Sequence, residues 1–379
     1  MDVKIFLEKV QSLGVDFYTG VPDSQLKSLC DTIYQTFGIG DKHIVAANEG
    51  GAVGLAAGHY LSTGKPALVY MQNSGIGNIV NPVASLLDEK VYGIPCVFVV
   101  GWRGEPNVKD EPQHKFQGEI TIELLELMKI KCFVLSSETT LEKLENYIEE
   151  SKKILSENKS VAFVVKKDSL TSDIKQSYQN EYDMKREDAL RVIAQSAGEA
   201  DIFVSTTGKT SRELFEIREQ NGQGHEKDFL TVGSMGHASM IAMGIALKKK
   251  NRTVWCIDGD GAAVMHLGSM LISTKTHCKN LIHIIFNNGA HETVGGMPVA
   301  GGNVDFCKLA SAAGYEKCFK AYNEQELKIC IEKAKEAEGT KFIEVMVALG
   351  SRKDLGRPTT TPQQNKERFM EFLEGAQKQ

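Results

Sequence analysis

The sequence predicts an α/β protein built from two doubly wound domains, each a parallel sheet covered by helices on both faces. Three observations carry this. Short β-rich runs alternate with helical stretches from one end of the chain to the other, the grammar of strand–helix–strand units. Runs such as CVFVV, AFVV and LIHIIF are apolar throughout, as strands buried on both faces are. At 379 residues the chain is too long for one ordinary core, so two are expected.

From the N-terminus, MDVKIFLEKVQSLGV reads as a short amphipathic helix and not as a secretory signal. Strands are expected near residues 15–21, 43–47, 66–72, 94–102, 131–137 and 160–167 in the first half. In the second they are expected near 201–208, 228–234, 252–260, 281–289, 315–322 and 341–349. The polar stretch KKDSLTSDIKQSYQNEYDMK between them is the natural linker. The expected division is a first domain over residues 1–168, a linker over 169–186 and a second domain over 187–379. From Gly350 the chain turns polar before a final short helix around Asn365–Ala376. No sequence repeat is visible between the halves; only the architecture repeats.

Composition narrows the function. A net charge of −5 argues against a nucleic-acid partner, which asks for a basic excess. Small anionic substrates stay open, because a local basic cluster can sit in a mildly acidic protein. No apolar run approaches the roughly 20 residues that span a bilayer, so no membrane association is expected. The eight cysteines are scattered without a CxxC pair, and those in runs such as TVWCID read as small buried hydrophobes. Neither a disulfide framework nor a zinc site is suggested, and a reduced cytoplasmic setting is expected.

The chemistry begins where TVWCID runs into Gly259-Asp260-Gly261-Ala262-Ala263. Small residues there let the backbone approach a ligand, and the following helix would aim its first amides at it. Alone, this is equally a tight strand-to-helix turn. A second strand, LIHIIF, ends in Asn287-Asn288-Gly289-Ala290. The intervening residues, 262 to 286, number 286 − 262 + 1 = 25. One helix and one strand of that length return the chain to the same edge of a parallel sheet, the edge where ligands bind. A carboxylate, an amide oxygen, a backbone carbonyl and phosphate oxygens make a hard oxygen shell for Mg²⁺.

This pairing of motifs resembles that of the enzymes that use thiamine diphosphate (ThDP) and Mg²⁺. The resemblance implies that Asp260, Asn288 and the Ala290 carbonyl hold the metal, and that Gly261 and Ala262 give amides to the diphosphate. It implies that Thr206-Thr207-Gly208-Lys209-Thr210, after DIFVS, is the other diphosphate turn, with Thr207 and Gly208 at the cofactor. Lys209 is as readily an ordinary solvated lysine. Gly233-Ser234-Met235-Gly236 resembles the segment that keeps ThDP folded, with Met235 as wedge and the Gly233 carbonyl accepting from the aminopyrimidine.

ThDP chemistry needs a proton removed from the thiazolium C2, which the cofactor's own amino group does when a buried carboxylate holds the pyrimidine ring. Glu49 fits. HIVAA leads into Asn48-Glu49-Gly50-Gly51-Ala52, and a lone Glu among small residues needs a partner if buried. Without the downstream motif it would read as a helix-opening Glu favoured by the dipole. The order matches ThDP enzymes with a pyrimidine-binding domain followed by a diphosphate-binding domain, and no middle domain. In that family the two meet across a subunit interface, which implies a homo-oligomer of at least two chains.

Five further segments narrow the resemblance to the family of ThDP-dependent 2-oxo acid decarboxylases, in the branch acting on phosphonopyruvate. They are GVPDS at 20, YMQNSG at 70, GWRGEP at 101, KDEPQH at 109 and the late SR and LGRP at 351 and 355. The implied reaction is phosphonopyruvate to phosphonoacetaldehyde and CO₂ through a C2 ylid and an enamine, in phosphonate biosynthesis. GWRGEPNVKDEPQHK is expected as a loop bearing Arg103, Lys109, His114 and Lys115, donors a phosphonate would want. Acids lie there too, and the alternative reading is a mixed-charge surface loop. Ser24 and Arg352 join the expected substrate contacts. Asp23 resembles a pocket acid of related decarboxylases, or is the Asx turn that follows a proline; His114 and Glu292 complete the catalytic candidates. The nearest rival substrate is sulfopyruvate, whose enzyme is expected to be split into separate subunits.

Overall fold

The computed structural model describes residues 1–276, 278–292, 295–300 and 304–375. The chain forms two compact units, Met1–Ser177 with Val294–Ala300, and Tyr178–Thr293 with Gly301–Gln379. The return of a short later segment to the first unit has no signal in the sequence.

The first unit holds six parallel strands: Tyr18–Gly20 (β1), His43–Val45 (β2), Leu68–Gln72 (β3), Val97–Gly101 (β4), Lys131–Leu135 (β5) and Val161–Val165 (β6), in the order β2-β1-β3-β4-β6-β5. The second holds Ile202–Ser205 (β7), Asp228–Leu230 (β8), Val254–Gly259 (β9) and Leu281–Asn287 (β10). Two short extended pieces follow in the chain, Ala290–His291 (β11) in this unit and Met297–Pro298 (β12) in the segment assigned to the first; the second unit then adds Lys317–Ala321 (β13) and Lys341–Met346 (β14). The second sheet runs β13-β14-β10-β9-β7-β8, again parallel throughout. All twelve expected strands form, each a little shorter than read. Ladders stop where turn residues such as Asn288-Gly289 leave the sheet, and Gly289 has φ +74°, which glycine adopts without strain.

The apolar runs are buried as the pattern requires. All five residues of β4 and of β6 are buried, as are all seven of β10, so helices cover both faces. The amphipathic start is the helix Val3–Gln11, capped by the Asp2 side chain. The final helix is Pro362–Gly375; Ala376, its expected last residue, lies outside the described residues. The expected loop GWRGEPNVKDEPQHK needs correcting at its end. Pro112 opens the helix Pro112–Leu127, a position where its missing N–H costs nothing, so His114 and Lys115 are helical. All eight cysteines are free thiols. Among the described residues no helix is long and apolar enough to cross a membrane.

Candidate active site

In the second unit the site is made by turns at the carboxyl ends of β7 to β10. Asp260 opens the helix Asp260–Met265 directly after β9. Its Oδ1 accepts from the Gly261 N–H at 2.7 Å, and its Oδ2 from the N–H groups of Asn288 (3.1 Å) and Gly289 (2.7 Å). Burial pushes its carboxyl up to about 6, against the pull of these three amides. Among the described residues no lysine, arginine or histidine pairs with it. A buried carboxylate without a counter-cation is costly, and a metal ion would supply one. Asn288 takes the N–H of Ala290 on its Oδ1 at 3.0 Å, and its Nδ2 donates to Glu292 Oε2 at 3.0 Å. Carboxylate, amide oxygen and the Ala290 carbonyl are the donor set of a hard divalent cation, so the residues present fit Mg²⁺.

Around this turn lie several of the residues expected at the cofactor. A methyl group on Gly261 would press on the His291 ring at 3.3 Å and the Met235 Cε at 3.4 Å, so only glycine leaves both where they are. Burial lowers His291 to about 4; its ring is neutral, and its Nε2 has no partner. Thr207 and Gly233 are joined, the Gly233 N–H donating to Thr207 Oγ1 at 2.9 Å. Gly208 caps the helix Lys209–Gln220 at φ +100°, and Lys209 pairs with Glu292 at 3.0 Å. Burial would raise Glu292, but Arg186 and Lys209 hold it below the ordinary glutamate range.

In the first unit Glu49 opens the helix Glu49–Thr63, and Asn48 caps it through the Gly51 N–H at 2.8 Å. Glu49 is 4% exposed, and burial raises its pKa although Asn78 Nδ2 donates to Oε2 at 2.7 Å. Its carboxylate lies against Gly75, where any side chain would collide. Asp23 is fully buried. Its Oδ1 accepts from Gln72 Nε2 at 2.6 Å and its Oδ2 from the Gln25 N–H at 2.9 Å, the Asx turn, with the Leu26 N–H farther away. Burial raises its pKa, and Gln72 opposes the rise.

Arg103 is held by Asp110, Nε to Oδ2 at 2.8 Å and Nη2 to Oδ1 at 2.5 Å, while Nη1 reaches Ser24 Oγ at 3.2 Å. Despite partial burial, the arginine and the amides of Glu111 and Gly104 hold Asp110 well below the usual carboxylate range. His114 is buried, which lowers its pKa, and its Nδ1 has no partner. Lys109 is exposed. Arg352, an expected substrate contact in the second unit, is ringed by Glu187, Glu216 and Asp354. The spacing of acids along the helices that supply Glu187 and Glu216 gave no sign of this.

Sequence reasoning missed the residues that do the holding in the first unit. The end of β3 and the helical stretch that follows it, Asn73–Gly75 and Ile76–Pro82, supply Gln72 to Asp23, Gly75 and Asn78 to Glu49, and Asn73 Nδ2 to the Arg103 carbonyl at 2.7 Å. Arg186, Glu213 and Asp110 were missed as well. Asparagine and glutamine after a strand look like ordinary turn formers.

Residues 3–152 match the N-terminal TPP binding domain of thiamine pyrophosphate enzymes, and residues 206–345 match their C-terminal TPP binding domain. Phosphonopyruvate decarboxylase of Streptomyces hygroscopicus is 30% identical over 97% of this chain and 92% of its own. The chain belongs to the thiamine diphosphate-dependent decarboxylases. Another decarboxylase of this family, phosphonopyruvate decarboxylase of Streptomyces viridochromogenes, is 31% identical over 95% of this chain and 92% of its own. Sulfopyruvate decarboxylase of Methanosarcina acetivorans is 26% identical over 97% and 96%. That last relative narrows one expectation, since separate alpha and beta subunits of sulfopyruvate decarboxylase also match parts of this chain. A sulfopyruvate decarboxylase spans both halves in one chain, so fusion of the domains does not separate the two kinds of ThDP-dependent decarboxylase.

Proposed function

We propose that the protein decarboxylates 3-phosphonopyruvate to phosphonoacetaldehyde and CO₂, using ThDP held with Mg²⁺. Asp260, Asn288 and the Ala290 carbonyl would hold the metal; the turns at Thr207–Gly208 and Gly261–Ala262 would hold the diphosphate; Gly233 and Met235 would hold the aminopyrimidine. Bound ThDP supplies the acceptor for the electrons left behind as CO₂ departs. Glu49 would hold the pyrimidine ring, its hydrogen bond strengthened by the dry surroundings. Met235 and the neutral His291 would line the pocket beside the metal turn.

The observation that carries the substrate is the state of Arg103. A guanidinium has five N–H donors. Asp110 takes two and Ser24 one, which leaves two on the terminal nitrogens for an oxyanion. Clamping by Asp110 fixes where those two point. The reading is supported by full-length similarity to two phosphonopyruvate decarboxylases. A second reading, sulfopyruvate, is favoured by the single-chain relative of Methanosarcina acetivorans, because the same fork accepts a sulfonate.

The test is CO₂ release from phosphonopyruvate, sulfopyruvate and pyruvate at saturating ThDP and Mg²⁺. Phosphonopyruvate should give the largest kcat/KM, and a larger value for sulfopyruvate would overturn the choice. The reading includes a homo-oligomer, since the family resemblance puts each complete site at a subunit boundary. Light scattering of the purified chain should give at least twice its mass, and a monomer that is active would refute this.

A further inference from the structure

Glu292 follows the metal turn by two residues and is nearly buried, its side chain 9% exposed. Four bonds converge on it. Oε2 accepts from Arg186 Nη1 at 2.8 Å and from Asn288 Nδ2 at 3.0 Å; Oε1 accepts from Lys209 Nζ at 3.0 Å and from Arg186 Nη2 at 3.4 Å. Arg186 is itself gripped by Glu213, Nε to Oε2 and Nη2 to Oε1, both at 2.7 Å. Arg186 opens the helix Arg186–Ser196, and Lys209 and Glu213 lie one turn apart on the helix Lys209–Gln220. Two acids and two bases sum to zero charge, so Asp260 keeps the uncompensated negative charge of this turn.

An asparagine amide has two ends of nearly equal shape, and only one of them can bind a cation. A carboxylate has no proton to give and can only accept. It therefore requires the NH₂ end of its partner, which turns the oxygen the other way. We infer that Glu292 is a positioning residue that sets the sense of the Asn288 amide, presenting Oδ1 to the metal, and that Arg186, Lys209 and Glu213 hold it there. The Ala290 N–H asks for the same sense from the other end, and Oδ1 has a second lone pair for the ion. The inference rests on the metal reading above.

Glu292→Gln is the discriminating change, because glutamine keeps the shape but can donate or accept. Mg²⁺ affinity in the presence of ThDP, by titration calorimetry, should fall about 10- to 100-fold, the usual loss when a residue supporting a metal ligand is removed. Excess Mg²⁺ should restore kcat to within a few-fold. A Glu292 that moved substrate protons would leave kcat low at any Mg²⁺ concentration, which would overturn the assignment. Asp260→Asn separates the two levels of inference. If it binds Mg²⁺ like the wild type, the metal reading fails. If it loses Mg²⁺ while Glu292→Gln stays within about threefold, the positioning role fails alone. Should the glutamine variant not fold, Glu292→Asp takes its place; its charge remains but it is one methylene short of Asn288, and the same loss is expected.

Discussion

Numbered within each unit in chain order, the strands of the second sheet, read from β8, run 2-1-3-4-6-5, as do those of the first. Each unit also puts its candidate site residues after its first four strands. In the first unit these are Asp23, Glu49, the stretch Gln72–Asn78 and Arg103; in the second, Thr207, Met235, Asp260 and Asn288. The difference is in what holds them. Asp260 is fixed by three backbone amides, whereas Glu49 and Asp23 are fixed chiefly by side-chain amides, Asn78 in the helix after β3 and Gln72 at the end of β3, with two backbone amides assisting Asp23. Backbone holding demands glycine and small residues at set places. Side-chain holding leaves the sequence looking ordinary.

The sharpest way to break this pairing is to remove one carboxylate from each unit. Asp260→Ala should abolish ThDP retention in Mg²⁺, a loss beyond the 10- to 100-fold of a supporting residue, without unfolding the chain. Glu49→Gln should bind the cofactor yet slow deuterium exchange at C2 by about 10²- to 10⁴-fold, the scale of a positioned acid–base group. Calorimetry and exchange of the bound cofactor measure the two. If Glu49→Gln lost the cofactor as Asp260→Ala does, the units would not divide holding from activation.

The same contrast explains what the sequence shows and what it hides. Gly259-Asp260-Gly261 and Asn288-Gly289 are legible because close backbone approach and φ +74° at Gly289 leave few alternatives. The strands are legible because burial on both faces demands unbroken apolar runs. Asn78 and Gln72 are not legible, since nothing local separates an amide that supports a buried acid from one that makes a turn. Arg103 and Arg352 look alike as lone cations, and only the fold shows that acids surround Arg352 on three sides. His114 looked like a loop residue because the pattern before Pro112 is irregular, and the helix begins only there.

A second measurement concerns the apo chain. The Asp260 carboxyl, about 6 when folded against an ordinary 3.8, binds its proton more tightly folded than unfolded. Its contribution is therefore fully present below pH 3.8 and is lost as pH rises through 6. At about 1.4 kcal/mol per unit the loss is at most about 3 kcal/mol. Asp260→Asn, stripped of cofactor and metal, should resist urea better than wild type at pH 8 and equally at pH 3.5. Glu49→Gln should shift the same way, since burial raises Glu49 too. No gain at pH 8 for Asp260→Asn would mean that the three amides already stabilise the ionised form.

Arg103 tests the first unit's outer turn. Arg103→Ala should raise KM for phosphonopyruvate and cut kcat/KM about 30-fold, roughly 2 kcal/mol, with pyruvate unchanged because it has no group for that arginine. Asp110→Asn should show a weaker version of the same selectivity, as the fork loses its clamp. Equal losses for both substrates would mean that Arg103 only holds its turn together.

The smallest effect is expected at the tie between two turns of the second unit. Thr207 Oγ1 accepts the N–H of Gly233 at 2.9 Å, joining the turn after β7 to the turn after β8. In the first unit Asp23 and Gln72 join the turns after β1 and β3. Thr207→Val keeps the shape and leaves the Gly233 N–H without its oxygen. Water can reach this half-buried site, so the cost should be near the low end for an unmet donor, about 1 kcal/mol. That is a fall of about 2–4 °C in melting temperature for a domain of this size, with ThDP affinity down about threefold. Thr207→Ser returns the oxygen and should recover both. A valine variant that melts lower but binds ThDP normally would place the bond in the scaffold alone, and the two units would then differ in their site carboxylates but not in how their turns are spaced.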